Sequence, residues 1–568
     1  MIGSLLPLEL HPALILIVGG FLVPLVPEAF RRIFIVALPV VGVLHFLSYP
    51  LGDYGSVVLF DYTLTIMRLD ALSRLFGLVF FLATFVNAIY AWHVRDTVQQ
   101  VASLVYPGAA LGGVFAGDFI TLFVFWEIAA VSSVFLIWAR GTERAYKAGM
   151  RYIVIQVSSG VLLLAGLILY AQDTGSIAFD HMELGTLPVL LIFLAFGIKS
   201  AFPLLHNWVQ DSYPESTVTG TIMLSIFTTK LAVYALVRGF AGTEQLIYIG
   251  VVMTLFPIFF AVIEDNLRRV LTYSINNQVG FMVVAIGVGT PLALNGAVGY
   301  AFCNIIFESL LFMSMGAVLF RTGTIQASEL GGMYKSMPLT AAFCIIGALS
   351  ISAFPLFSGF IAKGLIIDSV ADMNLMIVWL ALLFASAGVL EHAGIKIPFF
   401  AFFAHDSGKR CQEAPINMLI AMGILAALSI AIGVFPQAFY ELLPYDMEFE
   451  PYTTGHVVTQ LQLLLFAVLA FVVLIKVGVY PPEIKSTNLD TDWFYRRLAP
   501  RVLFAAGRLI VFVQSAVLGS ARQQINGFVQ RLYRFHGPSG QLARSWPAGS
   551  MAMWIAILLG IALILNYI

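Results

Sequence analysis

The chain has 568 residues, of which 60% are hydrophobic and 11% charged, and its formal net charge is −1. A soluble domain carries about 25% charged residues, so the composition excludes an ordinary soluble protein, and the balanced charge points to neither nucleic acid nor an acidic partner. The three cysteines, Cys303, Cys344 and Cys411, lie far apart and have no pairing or metal-ligand spacing.

Apolar runs long enough to cross a bilayer as helices, about 20 residues each, recur from end to end. They fall near 11–27, 33–51, 70–92, 100–117, 119–138, 147–172, 187–209, 216–240, 244–263, 268–288, 292–320, 338–370, 374–402, 415–436, 458–480 and 549–568. The first has no basic leader and no small-residue cleavage site, and reads as an uncleaved span. Between the second and third, DYGSVVLFDYTLTIMRLD alternates apolar and polar residues and predicts a small hairpin outside the membrane.

Basic residues gather in the loops after odd-numbered spans, among them Arg31, Arg95, Arg140, Arg144, Lys147, Arg268, Arg321, Lys335 and Lys409. Loops after even-numbered spans hold little beyond Arg68, Arg74 and Arg238. The positive-inside rule then places the N-terminus outside and the odd loops in the cytoplasm. Near the C-terminus, RVLFAAGRLIVFVQSAVLGSARQQINGFVQRLYRF mixes apolar and basic residues at helical spacing. It reads as an amphipathic helix of about 50 Å at the cytoplasmic interface, with a span over 502–521 as the alternative.

The pentapeptide SAFPL occurs twice, at 200–204 in the seventh span and 352–356 in the twelfth. Pro203 and Pro355 break both spans, because proline removes a helical hydrogen bond. Five spans separate the copies, so they cross the membrane in opposite directions, as in an inverted repeat whose interrupted helices mark a transport site. The organisation expected is 1–99 for the first spans and hairpin, 100–241 and 242–403 for two inverted five-helix repeats, and 404–480 for two further spans. The interfacial segment 481–548 and a last span, 549–568, complete it.

A charge near the bilayer centre costs about 2.5–3.5 kcal/mol on insertion scales, and the charges inside spans include Glu127, Lys199, Lys230, Glu308, Lys363 and Lys396. For Glu127, Lys199 and Lys230 the alternative to a proton relay is a static buried salt bridge, although a static pair has no need of a broken helix beside it. His206, just past the first break, is either a relay member or satisfied by the loop. Lys396, near Pro398, is either a relay member or snorkels to an interface. Asp118 reads as a helix cap. Glu264, Asp265, Arg268 and Arg269 read as topology and lipid-headgroup residues.

FVFWE, KSAFPLLHNW, DSYPESTVTGT, LRRVLTYS and FPLFSGFIAK, in that order, resemble the antiporter-like subunits of respiratory complex I and of Mrp-type cation/proton antiporters. The likeness covers about residues 60–435. YPESTVTGTIMLSIFTTK is similar to the D-type chain of Mrp antiporters in particular, whereas the C-terminal extension is similar to that of the largest complex I antiporter-like subunit. The resemblance implies an all-α polytopic fold with a fourteen-helix core, inverted five-helix repeats, two broken helices and extra C-terminal helices. It implies that Glu127 pairs with Lys199, that Lys230 passes protons toward the centre, and that Lys363 ends the route. The family's eleventh span carries H-x-x-x-H-x-x-x-K, whereas this chain has Tyr300, Asn304 and Glu308 there. Three readings follow: water and Glu308 complete the relay, Glu308 ligates a cation, or the chain has become a structural paralogue.

The function expected is that of a proton-translocating subunit, not an enzyme, in a multisubunit Na⁺(monovalent cation)/H⁺ antiporter of the bacterial inner membrane. A proton pump in a complex I-like or hydrogenase complex is the alternative. Expected partners are other membrane subunits, including a second antiporter-like chain, with the lipid bilayer, protons and Na⁺ or another monovalent cation. No cofactor or metal is implied.

Overall fold

A backbone in lipid has to satisfy its own N–H and C=O groups, and the apolar runs accordingly become helices. The computed structural model describes residues 10–59, 61–481, 483–485, 488, 490–538, 540 and 548–567. They fall into two compact units, Met1–Asp490 and Thr491–Ile568.

In the first unit α1 (Pro12–Leu22) and α2 (Glu28–Leu47) lead into β1 (Gly52–Leu59) and β2 (Tyr62–Leu69), then α3 (Ala71–Tyr90). The strands pair antiparallel from Gly52↔Leu69 to Leu59↔Tyr62, forming the expected hairpin. Then come α4 (Thr97–Phe115), α5 (Phe119–Trp138), α6 (Glu143–Thr174), α7 (Leu187–Lys199), the short α8 (Asn207–Ser212) and α9 (Val218–Phe240). A second series follows: α10 (Gln245–Ile263), α11 (Leu267–Val288), α12 (Pro291–Thr322), α13 (Pro338–Ile351), α14 (Ser358–Asp372) and α15 (Met376–Val389). Beyond α15 lie α16 (Lys396–Pro398), α17 (Ile416–Val434), α18 (Pro436–Tyr440) and α19 (Thr454–Val477). Helices α9, α11 and α12 are buried almost throughout and form the centre of the unit.

Every expected span has its helix, with ends displaced by a few residues. Thirteen helices among the described residues are long and apolar enough to cross a membrane. The expected spans at 187–209 and 338–370 are each broken, and their first halves, α7 and α13, are short apolar helices.

In the second unit α20 (Ala499–His536) is one uninterrupted helix of 38 residues, followed by α21 (Ala548–Tyr567). At 1.5 Å per residue α20 is about 57 Å long. That is nearly twice the hydrocarbon thickness of about 30 Å, and residues 502–521 lie inside this one longer helix, which holds a stretch apolar enough to cross a membrane.

The inverted repeat is written into the backbone. Helices α6 and α12 have 32 residues each, start at threonine caps (Thr142, Thr290) and end at left-handed glycines (Gly175, φ 70°; Gly323, φ 75°). Asp118 caps α5 and bridges to Ala178, and Asn266 caps α11 and bridges to Gln326. A single constant offset along the chain relates all these pairs. Asp118 thus has the capping role expected of it: it accepts from the N–H of Thr121 at 2.8 Å and also holds the N–H of Thr65, tying β2 to the α4–α5 junction.

Candidate functional site

Both SAFPL copies adopt the same conformation. Ala201 and Leu204 have φ of 62° and 70°, and Ala353 and Leu356 have φ of 56° and 75°. The left-handed region costs a non-glycine residue about 1–2 kcal/mol, so each break holds two strained positions beside Pro203 or Pro355. The amides of Phe202 and Phe354 reach back to the carbonyls of Gly197 and Leu349, each at 3.0 Å, closing the two helix ends in the same way.

A lysine sits at each break. Lys199, the last residue of α7, is 1% exposed. Its Nζ donates to the carbonyl of Trp126 at 2.8 Å and lies 4.2 Å from the centre of the Trp126 ring. Lys363, on α14, is equally buried and donates to the carbonyl of Ile351, the last residue of α13, at 3.3 Å. The rings of Phe281 and Tyr300 flank it at 4.9 and 5.7 Å. The negative end of a helix dipole and aromatic faces both favour a cation there.

The direct pairing of Lys199 with Glu127 implied by the resemblance is replaced by this carbonyl bond, and Glu127 stays an electrostatic neighbour. Glu127 is half-buried on α5. It lines an otherwise apolar groove of about 590 Å³ between α1, α4 and α5, together with Phe21, Val101 and Phe135. Its carboxylate packs against Gly160 of α6, where any Cβ would collide with Oε1.

At the centre, Lys230 on α9 and Glu308 on α12 form an ion pair with 3.6 Å between Nζ and Oε2. Both are at most 1% exposed. Lys230 also donates to the carbonyl of Ser225 at 2.9 Å. Asn304, one turn before Glu308 on the same helix, is wholly buried. Tyr300, a further turn back, donates to Gln278. Sequence reasoning missed Gln278 and its neighbours: Ser274, Asn276, Asn277 and Gln278 form a polar band on the wholly buried α11. The signal was a run of four polar residues in five, SINNQ, within a span.

Helices α4, α5, α6 and α9 bring a group of buried hydroxyls together. Tyr152 meets Ser133 at 2.8 Å, Tyr106 meets Thr228 at 2.6 Å, and Tyr213 adjoins both tyrosines. Ser159 accepts from the Trp126 indole at 3.1 Å and donates to the carbonyl of Ala195 at 2.8 Å.

Two expected residues lie elsewhere. His206 Nε2 is 2.8 Å from Asp490 Oδ2, in the segment after α19. Lys396 is fully buried, not snorkelling: it meets Glu483 at 2.9 Å and donates to the carbonyl of Val262 at 2.6 Å. Burial pushes the Glu483 carboxyl up, and Lys396 opposes the shift. Two π-helical turns, Leu390–Ile395 and Phe399–Phe403, straddle Lys396. Such turns occur often at functional sites.

The residues read as headgroup contacts are buried instead. Glu264, Asp265 and Arg268 are at most 2% exposed. Arg268 donates to the carbonyls of Ser216 and Thr217 at 3.2 Å each, and Asp265 accepts from Ser328. They tie the turn before α11 to the turns before α9 and α13, because a buried charge needs partners within the protein.

Comparison with known proteins bears out the resemblance. Residues 116–390 match the family described as NADH:quinone oxidoreductase/Mrp antiporter, TM. The chain is 28% identical over 469 residues to the D chain of the Na(+)/H(+) antiporter of Alkalihalophilus pseudofirmus, covering 75% of this chain and 93% of that one. It is 27% identical over 429 residues to hydrogenase-4 component B of Escherichia coli (strain K12), covering 66% of this chain but only 63% of that relative. Among solved structures, a chain of the membrane-bound sulfane sulfur reductase, an archaeal respiratory membrane complex, shares the fold with a TM-score of 0.70 at 22% identity. That match covers 97% of this chain and 99% of the other. The chain is thus a multi-pass membrane protein similar in sequence and fold to antiporter-like membrane subunits.

Proposed function

We propose that this chain is the proton-translocating subunit of a multisubunit monovalent cation/proton antiporter of the Mrp type, with a role like that of the D-type chain. The observation that carries the reading is the line of ionisable side chains within one unit, the half-buried Glu127 and the buried Lys199, Lys230, Glu308 and Lys363, with a broken helix at each of two lysines. Protons enter this line near Glu127 and Lys199, cross the hydroxyl group to Lys230 and Glu308, and leave past Lys363. The ion pair at Lys230 supports a central relay of opposite charge: Glu308 takes up what the family's lysine would. A proton moving onto Glu308 frees Lys230 to interact elsewhere, and the reverse step restores the pair. Tyr300 and Asn304 orient water along this stretch without taking a proton themselves near neutral pH.

The partners in this reading are membrane subunits, one of them a second antiporter-like chain, and the coupled ion is Na⁺ or another monovalent cation. The membrane is the bacterial inner membrane, with the N-terminus outside. A second reading, a proton pump driven by a redox or hydrogenase module, is favoured by the similarity to hydrogenase-4 component B.

The test is mild purification of the intact complex and identification of what remains bound, followed by Na⁺-driven proton flux in proteoliposomes. Small hydrophobic subunits and a second antiporter-like chain, with flux abolished in Lys199→Ala and Glu127→Ala, support the antiporter. Flavin- or iron–sulfur-bearing partners overturn it in favour of the second reading. Wild-type flux in both variants removes the proton route.

A further inference from the structure

The repeat offset that relates Thr142 to Thr290 and Gly175 to Gly323 also carries Tyr300, Asn304 and Glu308 of α12 onto Tyr152, Gln156 and Gly160 of α6. Each set stands four residues apart, on one face of its helix. Both columns start with a wholly buried tyrosine and continue with a wholly buried amide. They differ only at the last place. On α12 the carboxylate belongs to the column itself, as Glu308. On α6 that place is a glycine, and the carboxylate of Glu127 packs against it from α5. Each repeat therefore ends its tyrosine–amide column at a carboxylate, supplied from a different helix.

Gln156 is 0% exposed, and neither its Oε1 nor its Nε2 has a hydrogen-bond partner among the described residues. An unpaired buried amide is costly, and helix α6 bears that cost in mid-span. Its neighbours on the same face explain the position. One turn before it, the Tyr152 hydroxyl reaches Ser133, and the Tyr106 hydroxyl reaches Thr228, which stands two residues from Lys230 on α9. Just after it, Ser159 holds the indole of Trp126, whose carbonyl takes the ammonium of Lys199. Gln156 thus stands on the helix face between the Glu127–Lys199 end of the line and the hydroxyls that lead to Lys230.

We propose that Gln156 is a positioning residue of the proton route, its amide orienting bound water between Glu127 and Lys199 on one side and the Tyr152–Ser133 hydroxyls on the other, as Asn304 does beside Glu308. An amide suits the task because it donates and accepts at once and does not titrate. Water bound in this way needs two to four polar partners, which the amide, Tyr152 and Glu127 supply. The inference rests on the proton-route reading above.

The experiment measures proton flux through the intact complex in proteoliposomes, in H₂O and D₂O, for Gln156→Met, Gln156→Leu and Gln156→Asn. Glu127→Ala and Lys199→Ala serve as controls. Assembly and thermal midpoint are recorded for each variant. The expected result is a flux at least tenfold lower in the two apolar variants, with normal assembly and a larger solvent isotope effect, and recovery to within about threefold in Gln156→Asn. Wild-type flux in an assembled apolar variant overturns the proposal. So does equal loss in the apolar and Asn variants, or failure of both apolar variants to assemble, because each marks Gln156 as a packing residue. If the controls themselves retain flux, the proton route fails; if they lose flux while Gln156→Met does not, only the role of Gln156 fails.

Discussion

Lys230 and Glu308, on adjacent central helices, form an ion pair at 3.6 Å with no more than 1% of either side chain exposed. The acid that replaces the family's central lysine is thus the counter-ion of the lysine before it. Removing one member of a buried pair leaves an uncompensated charge, costing about 3–5 kcal/mol, whereas removing both is often nearly neutral. Lys230→Leu is expected to lower the thermal midpoint of the purified complex sharply, and Lys230→Leu combined with Glu308→Leu to recover most of the loss. Additive losses in the double variant would show that the two charges do not stabilise one another.

Glu308→Gln preserves shape and removes the charge. Proton flux is expected to drop at least tenfold while the complex assembles. An unchanged rate would take Glu308 out of the route and favour a scaffold role.

Gly160→Ala separates helix stability from function. Alanine is favoured over glycine inside a helix by about 1 kcal/mol, yet its Cβ would occupy the space of the Glu127 carboxylate. The expected outcome is a well-assembled complex with flux reduced several-fold. Wild-type flux would mean that the position of Glu127 is not critical.

The left-handed residues of the two breaks give a matched pair of tests. A β-branched side chain is poorly tolerated at positive φ, and strain of this kind is worth about 1–3 kcal/mol. Ala201→Val and Ala353→Val should each destabilise the complex by that amount, and the corresponding glycine variants should not. Thermal unfolding of the four variants checks this, and equal stability of Val and Gly would show that the breaks relax.

Arg268 bolts the start of α11 to the carbonyls of Ser216 and Thr217. Hydrogen bonds to a charged group contribute about 1.5–3 kcal/mol. Arg268→Leu should therefore destabilise by about 2 kcal/mol or more and open the 213–217 turn to protease. A melting curve and digestion pattern like those of the wild type would restore the headgroup reading.

Hydropathy and the repeated SAFPL set out the number of spans, the two breaks and the charges inside spans, because insertion into lipid penalises every exception to an apolar run and so makes each one visible. The residues missed were those whose cost is small and local. The polar band of α11 has no charge, and Gln156 is one amide in a long span. Gly160 is recognisable only by what it leaves room for. Lys396 was left open and Arg268 misread because position near a helix end does not reveal what packs over it; the carbonyl of Val262 and the carboxylate of Glu483 come from segments remote in sequence.

The sequence by itself determined that this is a polytopic membrane protein with inverted repeats, broken helices and a set of costly intramembrane charges. Those properties follow from composition, periodicity and the order of motifs along one chain. Only the tertiary structure decided which charges face one another: that Glu308 answers Lys230, that Lys199 rests on the carbonyl of Trp126, and that Glu127 fills the space left by Gly160. Pairing depends on how helices distant in sequence rotate and pack. A hydropathy pattern specifies which face of a helix is buried, but not which partner waits on the other side.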